Sequence, residues 1–103
     1  MEKIKALYMF LDETADSTKH QATVDTPSVT LTVVGVSSPE VAVQTAKQLI
    51  REGKAEVIEL CSAFGYKAAA VYEAVGDQVP VGMVVHQWDN APQICELIKK
   101  WGW

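Results

Sequence analysis

A β-strand that runs directly into a well-capped helix is the feature that most restricts how this chain can fold. Residues 29–36 read VTLTVVGV, a β-branched run that predicts a strand. The helix predicted for residues 37–53 follows at once, with Ser38 as N-cap, Pro39 in the first turn and Gly53 as C-cap. Strands that alternate with helices build a mostly parallel sheet with helices packed on its faces.

The same unit recurs later in the chain. Residues 56–61 predict a buried strand, residues 62–65 a turn of small residues, and residues 66–75 an alanine-rich helix. Residues 79–86, VPVGMVVH, predict a further strand. Residues 91–100 predict a last helix, whose inner, core-facing stripe consists of Ile94, Cys95, Leu97, Ile98 and Trp101.

The amino-terminal part of the chain is harder to interpret. The apolar run of residues 4–11 favours a strand buried on both faces, with a helix as the competing interpretation. Residues 14–27 predict a polar loop, in which residues 22–26 could form a short extra strand. Because the first connection lacks a convincing helix, the direction of the first strand stays open.

We therefore predict an α/β fold in one small domain over residues 1–103. Its four-stranded, mostly parallel sheet has the strand order 2-1-3-4 and carries three helices, in a flavodoxin-like or half-barrel-like arrangement.

Composition restricts the possible partners and the location. The net charge is −4 and Lys and Arg do not cluster, so we expect neither nucleic acid nor an anionic membrane as a partner. The longest apolar run is shorter than the ~20 residues that span a bilayer. We expect no leader peptide, because the first residues carry Glu2 and lack a small-residue cleavage site. Two cysteines in such a chain stay reduced, so we expect a cytoplasmic location.

The candidate chemistry lies where the strand of residues 56–61 meets the following turn, because open α/β folds bind ligands at the carboxyl ends of their strands. We predict catalytic roles for Glu59 as a general base, for Cys61 as a nucleophile or proton-transfer thiolate, and for His20 as an acid or base above the sheet edge. Backbone N–H groups at the helix start would hold a carboxylate or phosphate. The ligand-binding candidates are Ser62, Ala63, Phe64, Gly65, Tyr66, Gly35 and His86.

Each candidate also has a purely structural interpretation. Glu59 could bond to backbone N–H groups, Cys61 could be a small core residue, and His20 or His86 could simply be solvated. The Cys, Glu and His residues lack the spacing of metal ligands, so we predict no metal site. No phosphate loop or dinucleotide fingerprint is present in the sequence, so we predict no cofactor.

Four short runs, TVVGV at 32–36, ELCSAFG at 59–65, AVG at 74–76 and VPVG at 79–82, resemble a family of small, uncharacterised prokaryotic α/β proteins of about this length. The family's central motif is Glu-Leu-Cys-Gly-Gly-Phe-Gly, in which Ser62 and Ala63 here replace two glycines. Relatives have Arg-Phe where this chain has Val85, His86 and Gln87. The resemblance therefore does not imply that this chain has the positively charged residue that could anchor a ligand there. The resemblance implies the fold and no assigned activity.

Three functions are consistent with these features. The first is a lyase or isomerase that acts on a small anionic metabolite bound at the sheet edge. The second is a non-catalytic binding or regulatory module that uses the same pocket. The third is a structural subunit of a homo-oligomer, by default a dimer, which associates through an apolar patch that includes Trp88, Trp101 and Trp103.

Overall fold

The computed structural model of the protein describes residues 2–102 and contains five strands, three α-helices and two short 3-10 segments. The strands are β1 (Ile4–Leu11), β2 (Gln21–Asp25), β3 (Val29–Val36), β4 (Val57–Leu60) and β5 (Val81–Met83). The helices are α1 (Pro39–Arg51), α2 (Ala68–Val75) and α3 (Ala91–Trp101). The 3-10 segments cover Ser62–Lys67 and Trp88–Asn90.

The strands form one sheet in the order β2-β3-β1-β4-β5. β1 lies parallel to both β3 and β4, and β5 is parallel to β4, whereas β2 is antiparallel to β3. The four predicted strands are therefore neighbours in the order expected of them, and the first strand is parallel. The predicted strand number of four is corrected to five, because the extra strand considered for residues 22–26 forms as β2 at the sheet edge.

One face of the sheet holds the hydrophobic core. Side chains alternate along a strand, so Leu7 and Met9 of β1 share a face with Ile58 and Leu60, their register partners on β4. Both helices that follow parallel strands bury their apolar side chains in this same layer. The buried cluster consists of Leu7, Met9, Val34, Val36, Ala42, Ala46, Ala55, Ile58, Leu60, Phe64, Val71 and Val75.

The helix α1 forms where its caps predict it. The Ser38 Oγ accepts a hydrogen bond from the Val41 N–H at 3.2 Å, and Pro39 occupies the first turn. Gly53 follows the last turn with a φ of 71°, the left-handed conformation that favours glycine after a helix. The predicted span of residues 37–53 thus includes the two capping regions around the helix.

The handedness of the connections explains why both helices lie on one face. The steps from β3 to β4 and from β4 to β5 move in the same direction across the sheet, so right-handed crossovers place α1 and α2 on the same side. The step from β1 to β3 moves the other way, and a helix there would cover the second face. A loop and β2 make that step instead.

The second face therefore lacks a helical layer from this part of the chain, and we call it the open face. The strand register assigns it mainly apolar residues, of which Ile4 and Val24 are 55% and 56% exposed. Its residues are Ile4, Ala6, Tyr8, Phe10, Ala22, Val24, Val29, Leu31, Val33, Gly35, Val57, Glu59 and Gly82. The expectation that helices cover both faces is wrong for this sheet.

The last helix departs furthest from the prediction. α3 contains no buried residue, and Leu97, Ile98 and Trp101 are 44%, 39% and 62% exposed. Cys95, predicted to lie in the core, is exposed. The radius of gyration is 14.3 Å, compared with about 13 Å for a compact domain of this length. The helix is amphipathic as predicted, but its apolar stripe does not face this chain's own core.

Two segment boundaries also differ. β5 ends at Met83, so His86, the last residue of the strand predicted for residues 79–86, lies beyond it. α2 begins at Ala68, because Tyr66 and Lys67, predicted as helical, belong to the 3-10 segment that contains the non-helical Gly65, with φ 53° and ψ −136°. Over residues 2–102, no helix is both long enough and apolar enough to cross a membrane.

Candidate functional site

Glu59 lies in the middle of β4 with its side chain on the open face, exposed to solvent. Its register neighbours are Tyr8 on β1 and Gly82 on β5. A Cβ placed on Gly82 would lie 2.8 Å from the Glu59 Oε2. The carboxylate therefore leans across β5 and uses the space that the missing side chain leaves. A glycine at this position is what allows Glu59 to lie flat along the sheet.

Tyr8 is a site residue that the sequence analysis missed. Partial burial, with a smaller contribution from the nearby Cys61, raises the pKa of its phenol above the ordinary value. The phenol is therefore a protonated hydrogen-bond donor at neutral pH. The nearly continuous apolar run of β1 concealed its role, since the run predicts burial on both faces. Only the register with β4 places Tyr8 beside Glu59.

Cys61 follows β4 directly and is half-buried. Its Sγ accepts a hydrogen bond from the Leu11 N–H at 3.3 Å, and its own N–H donates to the Met9 carbonyl at 3.0 Å. The side chain also packs against the hydrophobic cluster. Glu59 and Cys61 thus lie toward the same end of β4, as predicted. The Cys61 sulfur, however, is hydrogen-bonded to the backbone of the neighbouring strand β1.

The segment after Cys61 does not form the amide-lined opening expected at Ser62, Ala63, Phe64, Gly65 and Tyr66. It winds as a 3-10 segment, and the Phe64 N–H donates to the Cys61 carbonyl at 3.2 Å. The Phe64 ring is only 1% exposed and belongs to the core. Tyr66, in contrast, is 88% exposed. The helix start predicted here as an anion site lies further along the chain, at Ala68.

Two of the predicted ligand-binding residues do meet. The His86 Nε2 lies 3.1 Å from the Ser62 Oγ, a hydrogen bond between the segment after β5 and the segment after β4. Both side chains lie at the carboxyl edge of the sheet, where β4 and β5 end. This edge thus collects Glu59, Cys61, Ser62 and His86 from two neighbouring parallel strands, with Tyr8 from a third.

His20 is not part of this group. Its Nδ1 accepts a hydrogen bond from the Asp16 N–H at 2.8 Å, so the ring is folded back onto its own loop. Its carbonyl accepts from the Gly35 N–H, which fixes the residue at the β2–β3 edge. The strands β3 and β1 separate it from β4, a distance of about 14 Å at three strand spacings. His20, predicted as an acid or base above the sheet edge, therefore lies away from Glu59.

The loop around His20 supplies a prediction about pH. Hydrogen bonds from the Thr18 hydroxyl at 2.6 Å and the Thr18 N–H at 2.9 Å lower the pKa of Asp16. A lowered folded-state pKa stabilises the fold above the ordinary value of about 4 and loses that effect as the pH falls through the folded value. We expect Thr18→Val to raise the pKa of Asp16, measured by NMR titration of the carboxyl carbon, while Ser17→Ala leaves it unchanged.

Gly35 is buried rather than available to a ligand. A Cβ there would lie 2.6 Å from the tip of the Phe10 ring and 3.1 Å from the Ala15 Cβ. The close approach that the glycine permits is made by the protein's own aromatic side chain.

Two open pockets lie at the opposite, amino edge of the parallel strands. Their volumes are about 280 and 260 Å³, and both are lined by Lys5 and Thr30. Neither is lined by a residue of the carboxyl-edge group. In the part of the chain that the structure describes, no three His, Cys, Asp or Glu side chains gather closely enough to hold a metal ion.

The fold and the edge group define a small single-domain α/β protein whose mostly parallel sheet is covered by helices on one face. Comparison with protein families shows that the chain belongs to a family of unknown function, DUF6506, whose model matches residues 4–98. No curated protein and no solved structure matches the chain.

Proposed function

We propose that the protein binds a small anionic metabolite at the carboxyl edge of the sheet and that Glu59 exchanges a proton with it. The observation that supports the proposal is the exposed Glu59 carboxylate, which lies between Tyr8 and Gly82 on the strand that leads to Ser62, the hydrogen-bond partner of His86. A cytoplasmic location belongs to this proposal and is supported by the two free cysteines, which persist in reducing compartments.

The site has two chemically different ends. The Ser62 hydroxyl and the His86 imidazole are 3.1 Å apart and are both able to donate hydrogen bonds to a carboxylate or phosphate. Glu59 precedes Ser62 by three residues, a separation of about 10 Å in extended chain. A ligand of roughly five to eight heavy atoms would span this distance at about 1.5 Å of length per bond.

At the other end, Glu59 would accept a proton from the bound ligand while the Tyr8 phenol donates a hydrogen bond to the oxygen on which charge develops. Proton removal beside a carboxylate is the first step of many lyase and isomerase reactions. Cys61 lies between the two ends, and we assign it to the wall of the site, since the Leu11 N–H and the core already hold its sulfur.

The binding of three probes, inorganic phosphate, malonate and succinate, is measured through the NMR shifts of Ser62 and His86. Charge-assisted hydrogen bonds contribute about 1.5–3 kcal/mol, so we expect Ser62→Ala or His86→Ala to weaken binding by about 10- to 100-fold. Glu59→Gln retains binding, as does the matched control Glu73→Gln on the exposed face of α2. Shifts that are absent from the edge group for all three probes would refute the binding proposal.

Catalysis is tested separately. NMR measures the rate at which the C–H protons of malonate exchange with solvent deuterium. We expect the wild type and Glu73→Gln to accelerate exchange and Glu59→Gln to lose at least 100-fold of that acceleration, as is typical when a general base is removed. Binding without faster exchange would select the second candidate function, a non-catalytic binding module, for which the exposed Ser62–His86 pair alone suffices.

A further inference from the structure

Two apolar surfaces of this chain face solvent, and they have complementary shapes. The open face is a sheet surface without a helical layer, and α3 is an amphipathic helix without a sheet. Each is a contiguous apolar surface and not a set of isolated exposed residues, because the side-chain period of a strand or a helix places its apolar residues side by side. The α3 stripe consists of Ile94, Leu97, Ile98 and Trp101.

We propose that two copies of this chain form a dimer in which the α3 stripe of each copy packs on the open face of the other. The exchange gives each sheet its missing second layer and each helix its missing core, which is the arrangement that α/β sheets require. It is also self-complementary, as a two-fold dimer must be, because each chain supplies one helix and one face. The protruding position of α3 leaves it available for a neighbour.

The dimensions agree with such a dimer. Five strands spaced about 4.8 Å apart, with up to eight residues at about 3.3 Å each, give the open face a plan area of at most about 600 Å². The eleven residues of α3 form a helix about 16 Å long and about 10 Å wide, with a footprint of about 160 Å². The open face is therefore large enough to seat the α3 stripe of a second copy.

The charges also agree. Among the open-face residues defined above, Glu59 alone carries a charge, whereas the last turn of α3 carries Lys99 and Lys100. Lys100 lies at the rim of the stripe, with its Nζ 5.5 Å from the centre of the Trp101 ring. A helix seated on the open face would therefore bring a cation toward the single carboxylate.

The exchange has a consequence for the site, which rests on the function proposed above. A helix from the partner subunit would lie over Glu59 and Tyr8, exclude water from them and complete a pocket that one chain leaves open. Ligand binding would then depend on protein concentration, since only the dimer has the closed site.

The test uses full-length variants that each disable one surface. Val33→Lys places a charge on the open face, and Ile98→Lys places one on the α3 stripe; Gln44→Lys, on the exposed side of α1, is the control. By light scattering without ligand, we expect the wild type and the control at twice the chain mass of 11.3 kDa. Each disabled variant should be monomeric, with its dimer dissociation constant raised at least 100-fold.

Mixing the two disabled variants distinguishes helix exchange from other dimers. The intact helix of Val33→Lys can seat on the intact face of Ile98→Lys, so an equimolar mixture should recover dimers that neither variant forms alone. Val24→Lys, on the exposed edge strand, replaces Val33→Lys if circular dichroism shows that the latter is unfolded.

A monomeric wild type would overturn the proposal, including the case in which α3 folds back onto its own sheet. So would a dimer that Ile98→Lys leaves intact, or a mixture that stays monomeric. These outcomes are separate from the ligand tests, because Ser62 and His86 are unchanged in every variant and binding of phosphate to a monomer would leave the proposed function standing.

Discussion

Phe64→Ala is expected to lower the free energy of unfolding by about 3–5 kcal/mol, the typical cost of emptying the space of a buried aromatic ring. The Phe64 ring is 1% exposed and is among the largest fully buried side chains of the described core. It also anchors the 3-10 segment between Cys61 and α2, so its removal loosens the carboxyl edge. A loss of this size is a large share of the 5–15 kcal/mol that stabilises a typical domain.

Urea unfolding followed by circular dichroism measures this loss, and using one protein concentration for all variants keeps the contribution of association the same in each. Tyr66→Ala is the matched control, because that aromatic ring is two residues away and 88% exposed. We expect it to change the free energy of unfolding by no more than about 0.5 kcal/mol. Equal effects of the two substitutions would contradict the buried position of Phe64.

The parts of the fold that follow from local rules could be predicted from the sequence. The Ser38 cap and the β-branched run of β3 fix α1 and the strand before it, and for a given strand order handedness then fixes the face of the sheet on which α1 lies. The strand at residues 21–25 does not follow from the sequence in the same way, because a five-residue edge strand exposed along its length lacks the apolar pattern of a buried strand.

The position of α3 could not be predicted for a different reason. The spacing of Ile94, Leu97, Ile98 and Trp101 establishes that the helix has an apolar side. It carries no information on whether that side meets the same chain or another one. The same holds for the open face. A strand that is apolar on both sides, such as β1, is predicted to be buried, but its sequence does not show whether the same chain or another one covers it.

At the site, the sequence located the residues that lie along one strand but not those brought together across strands. The position of Glu59 follows from the alternation of β4, and Cys61 is the residue directly after that strand. The Tyr8 and Gly82 neighbours depend on register, which the sequence pattern leaves open. The anion site expected at residues 62–66 does not form because residues 62–67 wind as a 3-10 segment around Gly65, and the sequence does not reveal the φ of a glycine within a turn.

That glycine leads to the second large effect. Gly65→Ala is expected to lower the free energy of unfolding by about 1–3 kcal/mol, because an L-residue is strained at a φ of 53° and a ψ of −136°. The nearest atoms are not the cause, since a Cβ at this position would meet nothing within 4 Å. The strain is relieved only if the 3-10 segment shifts, and Ser62 at its start would then move away from His86.

Gly53→Ala is the control for Gly65→Ala. It distinguishes a general loss of stability at a strained glycine from a local change at the Ser62–His86 pair. Gly53 also has a positive φ, 71°, and a Cβ there likewise meets nothing within 4 Å, but it follows α1 rather than β4. We expect Gly53→Ala to lose stability while the NMR shifts of the His86 ring stay those of the wild type. In Gly65→Ala those shifts should move toward the values of Ser62→Ala, because both lose the 3.1 Å hydrogen bond. A Gly65→Ala protein with unchanged His86 shifts would mean that this turn does not position the Ser62–His86 pair.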